Sequence, residues 1–311
     1  MWGVLELSPM FLRSTTLIYP DLYLISLGGT CRYAIISEDG AITLTDPGAS
    51  LHVPALIERL SRLGFDPKNI RNILLTHLDP DRVSAVALLR RIAPKLKLFG
   101  TAAMQRSLSS ANVLKDIWNS DQSYGRRFFG DTGKPEVSLE DFSSALTIDR
   151  PLVEADSIEL GDDLTVRSLA LPGHREHSVC YMLVPHEFVI ADETLGYFRG
   201  SKLAAPGADY NLSKGLNSLA QFDHLEISGI GFPYAGAVTG ALARKHLTAL
   251  AQNSKDIVAE YNRAVAEGVP LEEISAQIQE AFFTPTVQDP FLVESMTQSH
   301  EGLLAQLARG L

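Results

Sequence analysis

The chain has 311 residues, 45% hydrophobic and 21% charged, an ordinary globular composition with enough length for one large core or a core with an appendage. A formal net charge of −10 argues against a general nucleic-acid or anionic-membrane binder, so a small molecule is the expected partner. Two cysteines, Cys31 and Cys180, cannot build a disulfide framework, and both lie in strand-like runs that read as sites of buried free thiols. With no basic segment leading into an apolar one at the start, and no run long enough to span a bilayer, a cytoplasmic protein is expected.

Taken in order, Leu22 to Leu27, Tyr33 to Ser37 and Ala41 to Leu44 read as strands, with Glu38-Asp39-Gly40 as a hairpin turn. Asp46-Pro47-Gly48 ends the third with turn chemistry. Val53 to Leu63 has apolar residues at helical spacing and stops at Gly64. Ile70 to Leu75 is a largely apolar run that reads as a buried strand. Val83 to Ile92 follows as a helix and Leu96 to Phe99 as a short strand. Residues 101–145 break this rhythm, being helical and polar by turns, and read as an insertion over the site. Strand patterns return at Ser157 to Leu160, Leu164 to Leu171, Val179 to Val184, Phe188 to Ala191 and Leu225 to Ile230. From Ala237 the pattern is helical. One helix runs to Glu267 before Gly268, a second opens at Pro270 and runs to about Ala281, and a third is capped by Asp289 with Pro290 in its first turn.

The stretch Thr76-His77-Leu78-Asp79-Pro80-Asp81-Arg82 sits where the apolar strand gives way to the helix. His77 and Asp79 are two apart, so on an extended strand end both side chains point the same way. Asp81 follows in the turn. Three ligand-type groups thus converge at the carboxyl end of a strand, where open α/β sheets place their sites.

This segment resembles the His-x-His-x-Asp-His metal motif of the metallo-β-lactamase superfamily, with two positions changed. Three further places match that family's order: Leu171-Pro172-Gly173-His174 at a strand end, Asp192 after an apolar strand, and the turn Gly231-Phe232-Pro233-Tyr234-Ala235-Gly236, where Tyr234 stands at the place of a last histidine. Asp46-Pro47-Gly48 resembles the family's Asp-Thr-Gly turn. The resemblance covers residues 20–240 and implies an α/β fold, an αββα sandwich of two mixed β-sheets flanked by helices. On this reading residues 1–240 form the metallo-β-lactamase-like domain and 241–311 a C-terminal helical extension, either a cap over the site or the surface of a homodimer.

In the parent pattern the first metal takes positions that correspond here to His77, Asp79 and His174, with Asp192 as the bridging carboxylate. The second takes those of Asp81, Arg82 and Tyr234. A guanidinium stays protonated and has no lone pair to give a metal, so Arg82 placed there repels a second cation and pairs with Asp81 and Asp192 instead. One divalent ion is therefore expected, on His77, Asp79, His174 and Asp192, with Zn²⁺, Fe²⁺ or Mn²⁺ all compatible with two imidazoles and carboxylates. The resemblance implies a mononuclear metal-dependent hydrolase of an ester, thioester or phosphoester, with Asp79 or Asp81 as general base, Arg82 holding negative charge and Tyr234 nearby.

Two other readings stay open. One is a degenerate site on a binding or regulatory protein, and the other is mononuclear iron oxygen chemistry at a two-His-one-carboxylate face. Each residue also has a plain structural alternative: a hydrogen-bonded core histidine for His77, a turn cap for Asp79, a surface arginine for Arg82, an aromatic plug for Tyr234. His177 reads as a structural loop residue. His52, His186, His224, His246 and His300 read as surface histidines. Arg126 and Arg127 offer charge to an anionic substrate or lie in a solvated loop.

Overall fold

The computed structural model describes residues 10–129, 137–161, 163–198, 204–207, 209–285 and 289–310. Two seven-stranded sheets make the frame. The first runs, in spatial order, Thr16–Tyr19, Leu22–Leu27, Thr30–Ile36, Ile42–Thr45, Ile70–Leu74, Lys97–Thr101 and Arg150–Leu152. It is antiparallel as far as Ile42–Thr45, and the remaining pairs are parallel. The second runs Phe11–Leu12, Ala237–Thr239, Gly229–Gly231, Phe188–Ile190, Val179–Val184, Leu164–Ala170 and Ser157–Gly161. It is antiparallel except where Phe188–Ile190 meets Gly229–Gly231. Both are mixed sheets, as expected.

Covering both faces of a strand requires apolar residues at every position, because successive side chains point to opposite faces. Val179–Val184 shows this. Val179, Tyr181 and Leu183 enter the core between the sheets. Cys180 and Met182 enter a second cluster with Leu219, Phe222, Ala243, Leu247 and Leu250 of the outer helices. Cys31 and Cys180 are buried and free.

Three expected elements come out differently. The helix expected over Val83 to Ile92 is split into Pro80–Val83 and Val86–Ile92. The Ala85 N–H donates to Gly48 O at 2.7 Å, and the Asp81 carbonyl accepts from Arg32 Nη2, so tertiary partners take groups a continuous helix would use. The strand expected over Leu225 to Ile230 is confined to Gly229–Gly231, after a 3₁₀ turn at Gln221–His224. Gly231 is required there, since a Cβ would meet Tyr33 Cζ at 2.4 Å, and the Tyr33 hydroxyl bonds the carbonyls of Phe232 and Gly236. Ala237–Thr239 is a strand rather than the start of a helix. The helix Ala241–Ala266 begins after Gly240, whose φ of 58° breaks the chain direction.

Residues expected as an insertion contain the helices Ala102–Leu108, Ala111–Phe129 and Leu139–Ala145. The tail is helical as expected: Ala241–Ala266, Leu271–Ile278 and Pro290–Ala308, the last capped by Asp289, which accepts from Phe291 N and Leu292 N. Asp289 also accepts from Gly29 N at 2.8 Å, tying the start of this C-terminal helix to the hairpin between Leu22–Leu27 and Thr30–Ile36. Phe291, Leu292, Met296 and Leu303 pack in one cluster with Tyr234 and Tyr197. The tail thus folds back onto the face of the sandwich that carries the motif. No described helix is long and apolar enough to cross a membrane.

Candidate metal centre

The strand Ile70–Leu74 lies inside the first sheet with Ile70, Ile73 and Leu74 buried, and the chain leaves its carboxyl end as Leu75-Thr76-His77. Pro80 opens the next helix with Asp79 at the N-cap in extended conformation, so His77 and Asp79 face the same space with Nε2 and Oδ2 3.6 Å apart. The second sheet adds His174, beyond Leu164–Ala170, and Glu193, in the turn after Phe188–Ile190. His174 Nε2 lies 3.3 Å from Asp79 Oδ2 and 3.6 Å from Glu193 Oε2, and His77 Nε2 lies 3.8 Å from that same oxygen. Ligand atoms at tetrahedral Zn–N and Zn–O distances of about 2.0–2.2 Å lie about 3.3–3.6 Å apart. The four atoms therefore have close to the spacing of a coordination shell, and His77, His174 and Glu193 form a buried group able to hold a metal ion.

The outer partners fix which nitrogens face inward. The Thr76 hydroxyl donates to Asp46 Oδ2 at 2.6 Å, so its lone pairs face His77 Nδ1 at 2.9 Å, and Nδ1 carries the proton. His174 Nδ1 bonds Asp209 Oδ1, and its backbone N–H donates to Thr194 Oγ1. Each imidazole then directs an Nε2 lone pair at carboxylate oxygens, which is repulsive unless a cation lies between them. His77 Nε2 and Glu193 Oε2 are buried without a hydrogen-bond partner, as metal-facing atoms are. The donor set thus fits a divalent ion. Burial by itself would lower both histidine pKa values. The carboxylates reverse this, Asp79 acting chiefly on His77 while Glu193 and Asp209 hold His174 well above the usual range. With both imidazoles neutral, the carboxylates of Asp79, Glu193 and Asp209 outnumber the guanidiniums of Arg82 and Arg175, which favours a cation between the imidazoles.

Next to it lies a buried guanidinium. The Arg82 side chain is 0% exposed, with Nη1 3.2 Å from Asp81 Oδ2 and Nη2 2.5 Å from Glu193 Oε1. Its guanidinium lies 4.6 Å from the Tyr234 ring centroid, and the Tyr234 hydroxyl donates to Asp81 Oδ2 at 2.8 Å. Burial opposes the Arg82 charge, but Asp81 and then Glu193 hold its pKa well above the ordinary value. Glu193 is pushed the other way, to about 2: burial raises it, and Arg82, His174 and His77 outweigh burial. Glu193 is thus a bridge, one oxygen on the guanidinium and the other toward the imidazoles.

The structure brings His77, Asp79 and His174 together, and groups Asp81, Arg82 and Tyr234 beside them. Asp192 is placed differently. Its Oδ1 accepts from Thr194 N at 2.9 Å as the cap of a 3₁₀ turn, while its Oδ2 is buried without a hydrogen-bond partner and both imidazoles act on its charge; the adjacent Glu193 is the carboxylate that groups with the two imidazoles and pairs with Arg82. Three further residues that motif spacing does not single out are Glu193, Arg175 and Asp209. Arg175 donates to Asp79 Oδ1 at 2.8 Å and Oδ2 at 2.6 Å, and to Asp209 Oδ2 at 2.7 Å. Against burial, His77 and Arg175 hold the Asp79 carboxyl well below its usual range. The acid run Asp192-Glu193 and the Arg175 beside His174 are the only sequence signals; Asp209 has none.

His177 is exposed in the loop after His174. Of the histidines read as surface groups, His52, His246 and His300 are buried, with His246 Nε2 bonding the Leu195 carbonyl at 2.6 Å. Arg127 pairs with Glu294 of the C-terminal helix at 3.1 Å.

Residues 30–128, a span that contains the His77 motif, match the family model described as ODP family beta lactamase. No curated protein matches the sequence. Among solved structures, a metallo-β-lactamase family protein from Thermus thermophilus superposes with a TM-score of 0.62 at 18% identity, covering 93% of this chain and 95% of that one. An archaeal metallo-β-lactamase superfamily protein from Sulfolobus tokodaii gives 0.54 at 17%, covering 97% and 98%. A motif mutant of a Cronobacter sakazakii metallo-β-lactamase with a HARLDQ motif gives 0.53 at 16%, covering 95% and 97%. At such identities the superpositions speak for the fold. The fold is that of these metallo-β-lactamase structures, and the family model matches residues 30–128.

Proposed function

We propose that the protein is a hydrolase that works with one divalent metal ion, held by His77, His174 and Glu193 with Asp79 as the fourth donor. The observation that carries this reading is the spacing of those four atoms, two of them buried without partners, beside a guanidinium that fills the neighbouring cation position. A divalent ion there supplies Lewis acidity, acidifying a bound water and polarising the oxygen of an ester, thioester or phosphoester.

The protein's own groups do the rest. Asp79, with 22% of its side chain exposed, is the open side of an otherwise buried cluster and the carboxylate that a water or substrate reaches. Arg175 keeps it ionised, as a carboxylate that donates to a cation must be. Arg82, with no exposed surface, acts on Glu193 rather than on substrate. It neutralises the far oxygen of the bridge and excludes a second ion by charge. Asp81 and Tyr234 hold Arg82 in place.

His77, His174 and Glu193 are also a two-His-one-carboxylate set, which favours ferrous iron as the second reading. Elemental analysis by plasma mass spectrometry, on protein purified without an affinity metal or chelator, tests both. Near one equivalent of zinc or manganese, lost in His77→Ala, supports the hydrolase. One equivalent of iron with oxygen consumption supports the alternative. No metal after incubation with zinc, iron and manganese refutes both and leaves a binding protein on a hydrolase scaffold.

A further inference from the structure

We infer that the C-terminal helix is a working part of the metal centre, acting through Asp209, which it holds as the positioning residue for both His174 and Asp79. The inference rests on the metal-site reading above. Asp209 divides its carboxylate between two partners: Oδ1 bonds His174 Nδ1, and Oδ2 accepts from Arg175 Nη1 at 2.7 Å. Arg175 in turn grips Asp79 with Nε and Nη2. Asp79 Oδ2 returns to His174 Nε2 at 3.3 Å, so the four side chains close a ring around one edge of the donor set. Displacing Asp209 loosens two donors at once, the imidazole directly and the carboxylate through the guanidinium.

Asp209 sits in an irregular stretch ahead of the helix Leu212–Ala220, and such stretches do not fix a side chain by themselves. The fixing comes from Pro290–Ala308. Gln306 spans the loop with its amide, Nε2 donating to Asp209 O at 3.0 Å and Oε1 accepting from Leu212 N at 2.6 Å. One turn earlier, Gly302 lies so close that a Cβ there would stand 2.7 Å from Asp209 Cβ and 2.8 Å from its carbonyl oxygen. The helix is pressed onto the backbone of Asp209. Neither Gln306 nor Gly302 is among the proposed donors, and both lie far along the chain from every one of them, so only the fold brings them to the site.

Zinc affinity, measured on the full chain by competition with a chromophoric chelator, tests this, with the cobalt(II) absorption spectrum as a second readout of donor geometry. Three variants are compared. Asp209→Asn keeps the shape but removes the charge. Gln306→Leu removes both loop bonds. Met296→Ala removes packing from the same helix, within the cluster around Tyr197 and Tyr234. The expected result is zinc binding weakened about 10–100-fold in Asp209→Asn, the usual cost of losing an outer partner, and weakened with an altered cobalt spectrum in Gln306→Leu. Met296→Ala lowers the melting temperature and leaves zinc affinity and spectrum unchanged. Wild-type affinity in both Asp209→Asn and Gln306→Leu overturns the inference while leaving the metal site standing. Equal weakening in Met296→Ala also overturns it, because the helix then acts only through general stability. A wild-type protein that binds neither zinc nor cobalt overturns the inference and the metal-site reading together.

Discussion

Replacing Arg82 with histidine tests whether a guanidinium stands in for a second cation. The wild-type side chain is wholly buried between Asp81 and Glu193 and under the Tyr234 ring. In the metal-free variant two buried carboxylates lose their fixed positive partner. Breaking a buried ion pair costs about 3–5 kcal/mol, which for a large domain lowers the melting temperature on the order of 10 °C. Metal should restore part of that loss. The new imidazole, Asp81 Oδ2 and Glu193 Oε1 supply three donors where Arg82 stood, and an ion at about 100 times its dissociation constant returns about 2.7 kcal/mol. The assay is thermal melting with and without zinc, combined with zinc stoichiometry by mass spectrometry. The wild type is expected to hold one equivalent. The variant should move toward two, with a larger zinc-dependent rise in melting temperature. Because the Tyr234 hydroxyl also occupies Asp81 Oδ2, the double variant Arg82→His/Tyr234→His should complete the shift. A double variant that still binds one zinc, with the zinc-dependent stabilisation of the wild type, refutes the idea that Arg82 occupies a cation position.

Three further outcomes are expected. Glu193→Gln should weaken zinc binding by at least about tenfold, whereas Asp192→Asn should leave it near the wild-type value; the reverse order would restore Asp192 as the ligand. His246 is buried, which pushes its pKa down to about 4 although its bond to the Leu195 carbonyl opposes this. A histidine whose folded pKa lies below its unfolded value near 6.5 contributes stability present above that value and lost as pH falls toward 4. The contribution is at most about 3 kcal/mol, so denaturant titrations from pH 7 to 4 should show a steeper decline in wild type than in His246→Gln, and parallel curves would remove His246 as the cause. Burial pushes the Cys31 thiol up to about 12 and raises Cys180 as well, so neither should react with a disulfide reagent at pH 8 until the protein is unfolded. Rapid labelling of the native state would show that one of them is reached by solvent.

Much of the frame is legible because it rests on periodicity. Leu22–Leu27 and Val179–Val184 have the bounds that their apolar runs announce, and Asp289-Pro290 marks a helix start by local chemistry alone. Where the reading departs from the structure, a distant partner has overridden a local preference. Gly48 and Arg32 take backbone groups at residues 81–85 and split a helix, and the Tyr33 ring claims the space that makes Gly231 a strand residue. His52, His246 and His300 read as surface groups because nothing adjacent in sequence reports what covers them.

The candidate site divides along the same line. The sequence by itself placed His77, Asp79 and His174 at strand ends and, through its resemblance to the metallo-β-lactamase motif, put a permanently charged Arg82 where that motif has a ligand. The first follows from the spacing of residues along a strand, the second from the resemblance together with the absence of a lone pair on a guanidinium. Only the tertiary structure decided which of two adjacent carboxylates faces the imidazoles. Asp192 caps a 3₁₀ turn with Oδ1 and keeps a buried, unpartnered Oδ2, and Glu193, one residue on and one methylene longer, reaches both His174 and Arg82. It also decided that Asp209, held by Gln306 from the far end of the chain, backs His174. A side chain's direction at the end of a strand depends on the turn that follows, and that turn is set by partners the local sequence does not contain.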